Sequence, residues 1–330
     1  MLFRSPGNVM LGGLVGGLDF VGLRDVGLEA HGTIPHLLFM MFQGTFAIIT
    51  GALISGAVVE RMRFGPYLAF LSLWTLIVYA PVCHWVWGGG WLAELGALDF
   101  AGGTVVHVNA AAAAVVAALV VGPRRDWGRQ ALLPHNVPFV LLGAGLLWFG
   151  WIGFNGGSAL AADGAAVVAA TNTILAPAAT LLVWMLMDRA RTGQVTAIGL
   201  ATAIVVGLVA ITPAAGFVPP IAALLLGGLA AVPSWFALQW RARTGLDDSL
   251  DVLAAHGVGG VVGALLTGVL ARAAWGGVDG LLAGNVAQLG IQALGVAAAA
   301  AWSAGLTFSL LKVMGLFVEL RVADRAEGGR

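Results

Sequence analysis

Two short segments hold the residues whose types and spacing could do chemistry. Asp99 precedes His107 by eight residues in DFAGGTVVHVNAA, and Asp248 precedes His256 by the same eight in DSLDVLAAHGVGG. An imidazole donates from one ring nitrogen and accepts at the other, so it can bind a small neutral amine or hand on a proton. Each histidine lies inside a long apolar run, where an ionisable side chain is costly and marks function by default. The plainer alternative, a histidine bonded to a neighbouring helix as part of the core, explains one such residue more easily than a matched pair. The aspartates, with Asp251 beside the second, read as structural and electrostatic carboxylates at helix N-termini, where capping and the helix dipole favour negative charge. A membrane metalloenzyme would use close ligand spacing such as H-E-x-x-H, which is not present, and Cys83 stands alone. No metal and no cofactor are expected.

The elements that must position these residues follow from composition. The 330 residues are 59% hydrophobic and 10% charged, which leaves too little polar surface to cover a soluble globule and fits a lipid bilayer as solvent. Its 49 glycines and its alanine runs suit helices packed closely through small residues. The formal charge is zero and no basic patch is continuous, so nucleic acid is not a partner. The expected fold class is an all-α polytopic membrane protein of about nine transmembrane helices, near 36–59, 66–86, 101–122, 137–157, 165–187, 195–214, 217–240, 251–271 and 287–318. Arg61/Arg63, Arg124/Arg125/Arg129, Arg189/Arg191, Arg241/Arg243 and Arg321/Arg325/Arg330 follow the odd-numbered spans, so those ends are cytoplasmic. This divides the chain into an extracytoplasmic segment 1–35, a transmembrane domain 36–318 and a short cytoplasmic tail 319–330, in a multi-pass membrane protein. Asp99–His107 then enters from outside and Asp248–His256 from inside. Eight residues advance about 12 Å along a helix, near half of a hydrocarbon core of about 30 Å, so both histidines reach the midplane from opposite sides. That is the trace of an inverted repeat with a substrate path between its halves.

The residues around these positions resemble the ammonium transporter family, which includes the Rhesus-type proteins. The resemblance runs through FQGTFAIITGALISGAVVERMRF at 42–64, HWVWGGGWLAELGALDFAGGTVVHVNA at 84–110, GWIGFNGGSA at 150–159 and DDSLDVLAAHGVGGVVGALLTGVLA at 247–271. It implies an inverted-repeat fold of eleven spans in typical bacterial members, five plus five and a final helix. The first two, and with them one wall of the pore, are expected to be absent here as an N-terminal truncation.

By the same resemblance His107 and His256 are twin pore histidines, Phe46 and Phe154 the paired rings of an outer gate, and Trp87 and Ser158, with Phe46, the cation-recruiting residues. Trp151 is a pore-lining aromatic, and Asp99 a carboxylate beneath the recruitment site. The implied activity is transport of ammonium or ammonia, with methylammonium as a further substrate, by a homotrimer answering to a cytoplasmic PII-type regulatory protein. The implied protein is a channel or transporter, not an enzyme. The competing readings are a nonfunctional or structural fragment and another inverted-repeat secondary transporter, which would carry a cluster of coordinating carboxylates or hydroxyls.

Overall fold

The computed structural model describes residues 9–10, 14–125, 127–128 and 134–323. Part of segment 1–35, Arg129, Arg325, Arg330 and most of the tail therefore lie outside the described residues. Among the described residues nine apolar helices follow one another: α1 His36–Ser55, α2 Phe64–Glu94, α3 Gly103–Val121, α4 Val137–Ala159, α5 Gly164–Thr192, α6 Ala197–Ile211, α7 Pro220–Arg241, α8 Leu253–Leu270 and α9 Val286–Gly315. Eight of them are long and apolar enough to cross a membrane, and α6 is shorter. The run expected at 195–214 ends early because the chain leaves the helix at Thr212 and Pro213. Their carbonyls accept the backbone N–H groups of Ala101 and Phe100 at 3.1 Å each. A helix continued through that point would leave the loop before α3 without these partners, and lipid offers no substitute.

Several helix starts are written in the sequence. Asn136, Asp163 and Thr196 cap α4, α5 and α6 by accepting from the N–H groups of Phe139, Ala166 and Gly199. Around the centre, α3 packs on α1, α8 and α9, while α5 packs on α4, α6 and α7. The outward faces carry exposed apolar side chains such as Ile48, Leu146, Phe149 and Ile221, as a lipid-facing surface does.

Two small hairpins precede α1, and the second pairs Ala30–His31 with Ile34–Pro35. They dock on the same end of the bundle, where the Trp85 indole donates to the Leu14 carbonyl at 2.9 Å and the Thr33 hydroxyl donates to the Leu160 carbonyl.

The other end is tied by charge. Arg61, fully buried after α1, pairs with Asp247 at 2.8 Å, and Arg124, just past α3, adds a bidentate contact to the same carboxylate at 2.8 and 2.9 Å. Burial works to raise the Asp247 pKa, but the hydrogen bonds and charges of Arg124 and Arg61 outweigh it and hold the carboxyl below its usual range. The first residues after α9 clip onto the same region. The Arg63 N–H donates to the Leu320 carbonyl and the Val322 N–H to the Arg61 carbonyl, both at 2.8 Å.

Candidate functional site

The site begins at the loop before α3. Gly102 sits at φ +112°, a conformation glycine alone adopts easily, and a Cβ there would lie 2.6 Å from the Val106 side chain. This bend lets the Asp99 carboxylate cap α3 with both oxygens. Oδ1 accepts from the N–H groups of Gly102 and Gly103 at 2.9 and 2.6 Å, and Oδ2 from those of Thr104 and Val105 at 2.9 and 3.0 Å. Burial pushes the Asp99 pKa up to about 6 against the pull of these four donors. In this position the carboxylate caps the N-terminus of α3.

Asp248 is a weaker copy. Its Oδ2 accepts from the Leu253 N–H at 2.7 Å, while its buried Oδ1 has no hydrogen-bond partner among the described residues. Burial likewise raises it to about 6. Asp251 turns away to the Arg241 guanidinium at 2.6 Å, and burial raises its pKa in spite of that charge.

Each aspartate is followed by a π-helical turn that carries the histidine, Gly103–Val108 for His107 and Leu253–Val258 for His256. The wider π turn adds one residue to the helical circuit and recurs at functional sites. The helices α3 and α8 cross closely here, because a Cβ on Gly260 would stand 3.1 Å from both the Gly103 carbonyl oxygen and the His107 Cβ. The two imidazoles meet with Nδ1 facing Nδ1 at 3.2 Å. One of the facing nitrogens must donate and the other accept, so a single proton lies between the rings. His107 is fully buried, and its Nε2 has no hydrogen-bond partner among the described residues.

From this pair a continuous run of rings leads to Trp87 of α2. His107 stacks on Trp151 at 5.5 Å between centroids and approaches Phe154 at 6.3 Å. Phe154 meets Phe46 at 4.5 Å, and Phe46 meets Trp87 edge-on at 5.5 Å. Hydrogen bonds fix the two indoles, since Trp87 donates to the Asp99 carbonyl at 2.7 Å and Trp151 to the Thr212 hydroxyl at 2.9 Å. Ser158, one turn beyond Phe154, donates back to the Phe154 carbonyl at 2.8 Å and keeps its oxygen lone pairs for an incoming donor. On the far side of His256 lies a cavity of about 360 Å³, whose lining includes Ile49, Leu53, Thr202, Val252 and Trp151.

All ten residues singled out in the sequence have thus been located. Trp87, Phe46, Phe154, Trp151, His107 and His256 form one file, Ser158 and Asp99 flank it, and Asp248 and Asp251 lie at the start of α8. Sequence reasoning missed Thr212, which anchors Trp151, and Asp247, which binds two arginines. Neither carries a signal, since a threonine in an apolar run and a carboxylate beside arginines are both commonplace.

A family profile described as Ammonium Transporter Family matches residues 6–329. An ammonium transporter of Bacillus subtilis is 45% identical over 329 residues, covering 98% of this chain and 80% of that protein. One from Aquifex aeolicus is 51% identical over 302 residues, covering 91% and 71%. Among solved structures, Saccharomyces cerevisiae Mep2 superposes with a TM-score of 0.91 at 38% identity, covering 98% of this chain and 75% of that one. A structure described as a sensor Amt protein gives 0.90 at 34%, covering 99% and 82%. With helices, motifs and overall superposition in agreement, this chain belongs to the ammonium transporter family.

Proposed function

We propose that ammonium reaches the outer mouth at Trp87, loses its water there and passes the Phe46 and Phe154 rings to the His107–His256 pair. The observation that carries this reading is the unbroken file of rings from Trp87 to a histidine pair 3.2 Å apart. A cation over an indole face gains about 0.5 to 2 kcal/mol, rising as water is removed. Ser158 accepts one ammonium N–H, and the edge of Phe46 completes the recruitment site. Taking the charged ion on into an apolar path costs far more than taking neutral ammonia. The histidines address that cost, because a lone pair or an N–H presented into the path serves either ammonia alone or ammonia whose proton travels separately. Methylammonium is the natural larger substrate.

In this reading Trp87 lies outside and the tail inside the cell, in the plasma (inner) membrane. Its support is the gathering of Arg61, Arg124 and Arg321 at the opposite end from Trp87, as the positive-inside rule requires. Segment 1–35 is then extracytoplasmic and 319–330 cytoplasmic. Family membership supports a homotrimer with one path per subunit and a PII-type cytoplasmic regulator. The test is the current after an ammonium pulse in proteoliposomes. Unaltered protein should give a current that a His107→Ala/His256→Ala variant, folded to the same extent, loses. Equal currents would remove the histidines from the path.

A further inference from the structure

Both indoles of the ring file hang from one junction between the end of α6 and the loop before α3. Thr212, fully buried just past α6, donates its hydroxyl proton to the Leu208 carbonyl at 2.7 Å. Its oxygen lone pairs are thereby left to the Trp151 indole N–H at 2.9 Å. The Thr212 and Pro213 carbonyls accept from the N–H groups of Ala101 and Phe100, both at 3.1 Å. The peptide group that carries the Phe100 N–H also carries the Asp99 carbonyl, which accepts from the Trp87 indole at 2.7 Å. Bonds chained through one peptide in this way polarise and strengthen one another. Close packing reinforces the junction, because a Cβ on Gly103 would stand 2.5 Å from the Pro213 ring. Residues 99–101 against 212–213 therefore hold Trp87 at one end of the file and Trp151 beside the histidines.

We propose that Thr212 is a positioning residue for the path: its hydroxyl sets the tilt of the Trp151 indole, and with it the width that separates ammonium from methylammonium. Trp151 stacks on His107 at 5.5 Å with 20° between the planes, and it meets Phe154 at 5.2 Å. A turn of this one side chain changes the space beside the first histidine and behind the Phe154 ring together. The indole has a single polar atom, and Thr212 is what holds it. Valine would fill nearly the same space without an acceptor, leaving a buried N–H that must turn to another oxygen or stay unpaired. The inference rests on the transport reading above and deepens it by naming what fixes the selectivity of the path.

The test compares Thr212→Val, Thr212→Ala and Thr212→Ser in proteoliposomes by the ratio of methylammonium to ammonium current, which does not depend on how much protein has folded. A snug apolar site discriminates one carbon by about 10- to 200-fold; losing the acceptor should relax this by about fivefold in Thr212→Val or Thr212→Ala, while Thr212→Ser stays within about twofold of unaltered protein. A second readout needs no transport. The isotope-labelled indole N–H resonance of Trp151, identified by its loss in Trp151→Phe, should move upfield without the Thr212 hydroxyl and hold its place in Thr212→Ser. An unmoved resonance would overturn the anchoring, and a moved resonance with an unmoved current ratio would overturn the role in selectivity. No ammonium current from the unaltered protein would fail the transport reading itself, and this inference with it.

Discussion

Replacing Asp99 by asparagine should damage the protein far more than the same change at Asp248, although the sequence presents the two as twins. Both oxygens of Asp99 are in use, each accepting two backbone N–H groups. Asparagine has one carbonyl oxygen. Whichever way its amide is turned, the NH2 group faces two N–H donors that have lost their acceptor. A buried donor left unpaired costs about 1 to 3 kcal/mol, so Asp99→Asn should lose about 2 to 6 kcal/mol. At Asp248 the amide nitrogen can take the place of Oδ1, which has no hydrogen-bond partner among the described residues, while the oxygen keeps the Leu253 N–H. That loss should stay below about 1 kcal/mol, one ordinary hydrogen bond weakened from charged to neutral. Unfolding of both variants in mixed micelles of rising SDS content gives the comparison directly. If Asp248→Asn were destabilised as much as Asp99→Asn, the four-donor cap would not be what holds the start of α3.

Two further predictions concern charge. Asp247→Asn leaves Arg61 buried beside a neutral partner and should cost about 3 to 5 kcal/mol, whereas Glu319→Gln, which breaks the exposed pair with Arg63, should cost no more than about 1 kcal/mol; the same micelle titration separates them. Asp99 and Asp248, both raised to about 6 by burial, bind protons more tightly folded than unfolded. Their contribution is complete below the unfolded value and is lost as pH rises from about 4 through about 6. The unfolding midpoint should therefore fall across that window and then level, and Asp248→Asn should remove its share of the slope; an unchanged slope would show that the carboxyl does not titrate there.

Much of this arrangement can be read from the sequence because lipid forces the backbone to satisfy itself within each span. The apolar runs near 137–157 and 287–318 emerge as Val137–Ala159 and Val286–Gly315. The histidine pair is legible because the eight-residue spacing occurs twice, entering from opposite sides. What escapes the sequence is geometry that composition does not encode. Nothing in GTVVHV or LAAHGV announces a π turn, since the apolar and small residues there suit an α-helix equally. The difference between Asp99 and Asp248 depends on the bend at Gly102, which aligns four N–H groups on one carboxylate. Asp247 and Arg61 read as solvated charges at a membrane edge until the fold buries them together.

That buried trio also bears on how the molecule moves. Arg61 and Arg124 follow helices of the first half of the repeat, and Asp247 precedes α8 in the second, so one carboxylate rivets the two halves at the end remote from Trp87. Transporters that rock one repeat against the other must part such a seam in every cycle. Here each parting would strand charge away from water at a cost of about 3 to 5 kcal/mol, comparable to much of a domain's total stability. The seam therefore resists any rocking of one half of the bundle against the other.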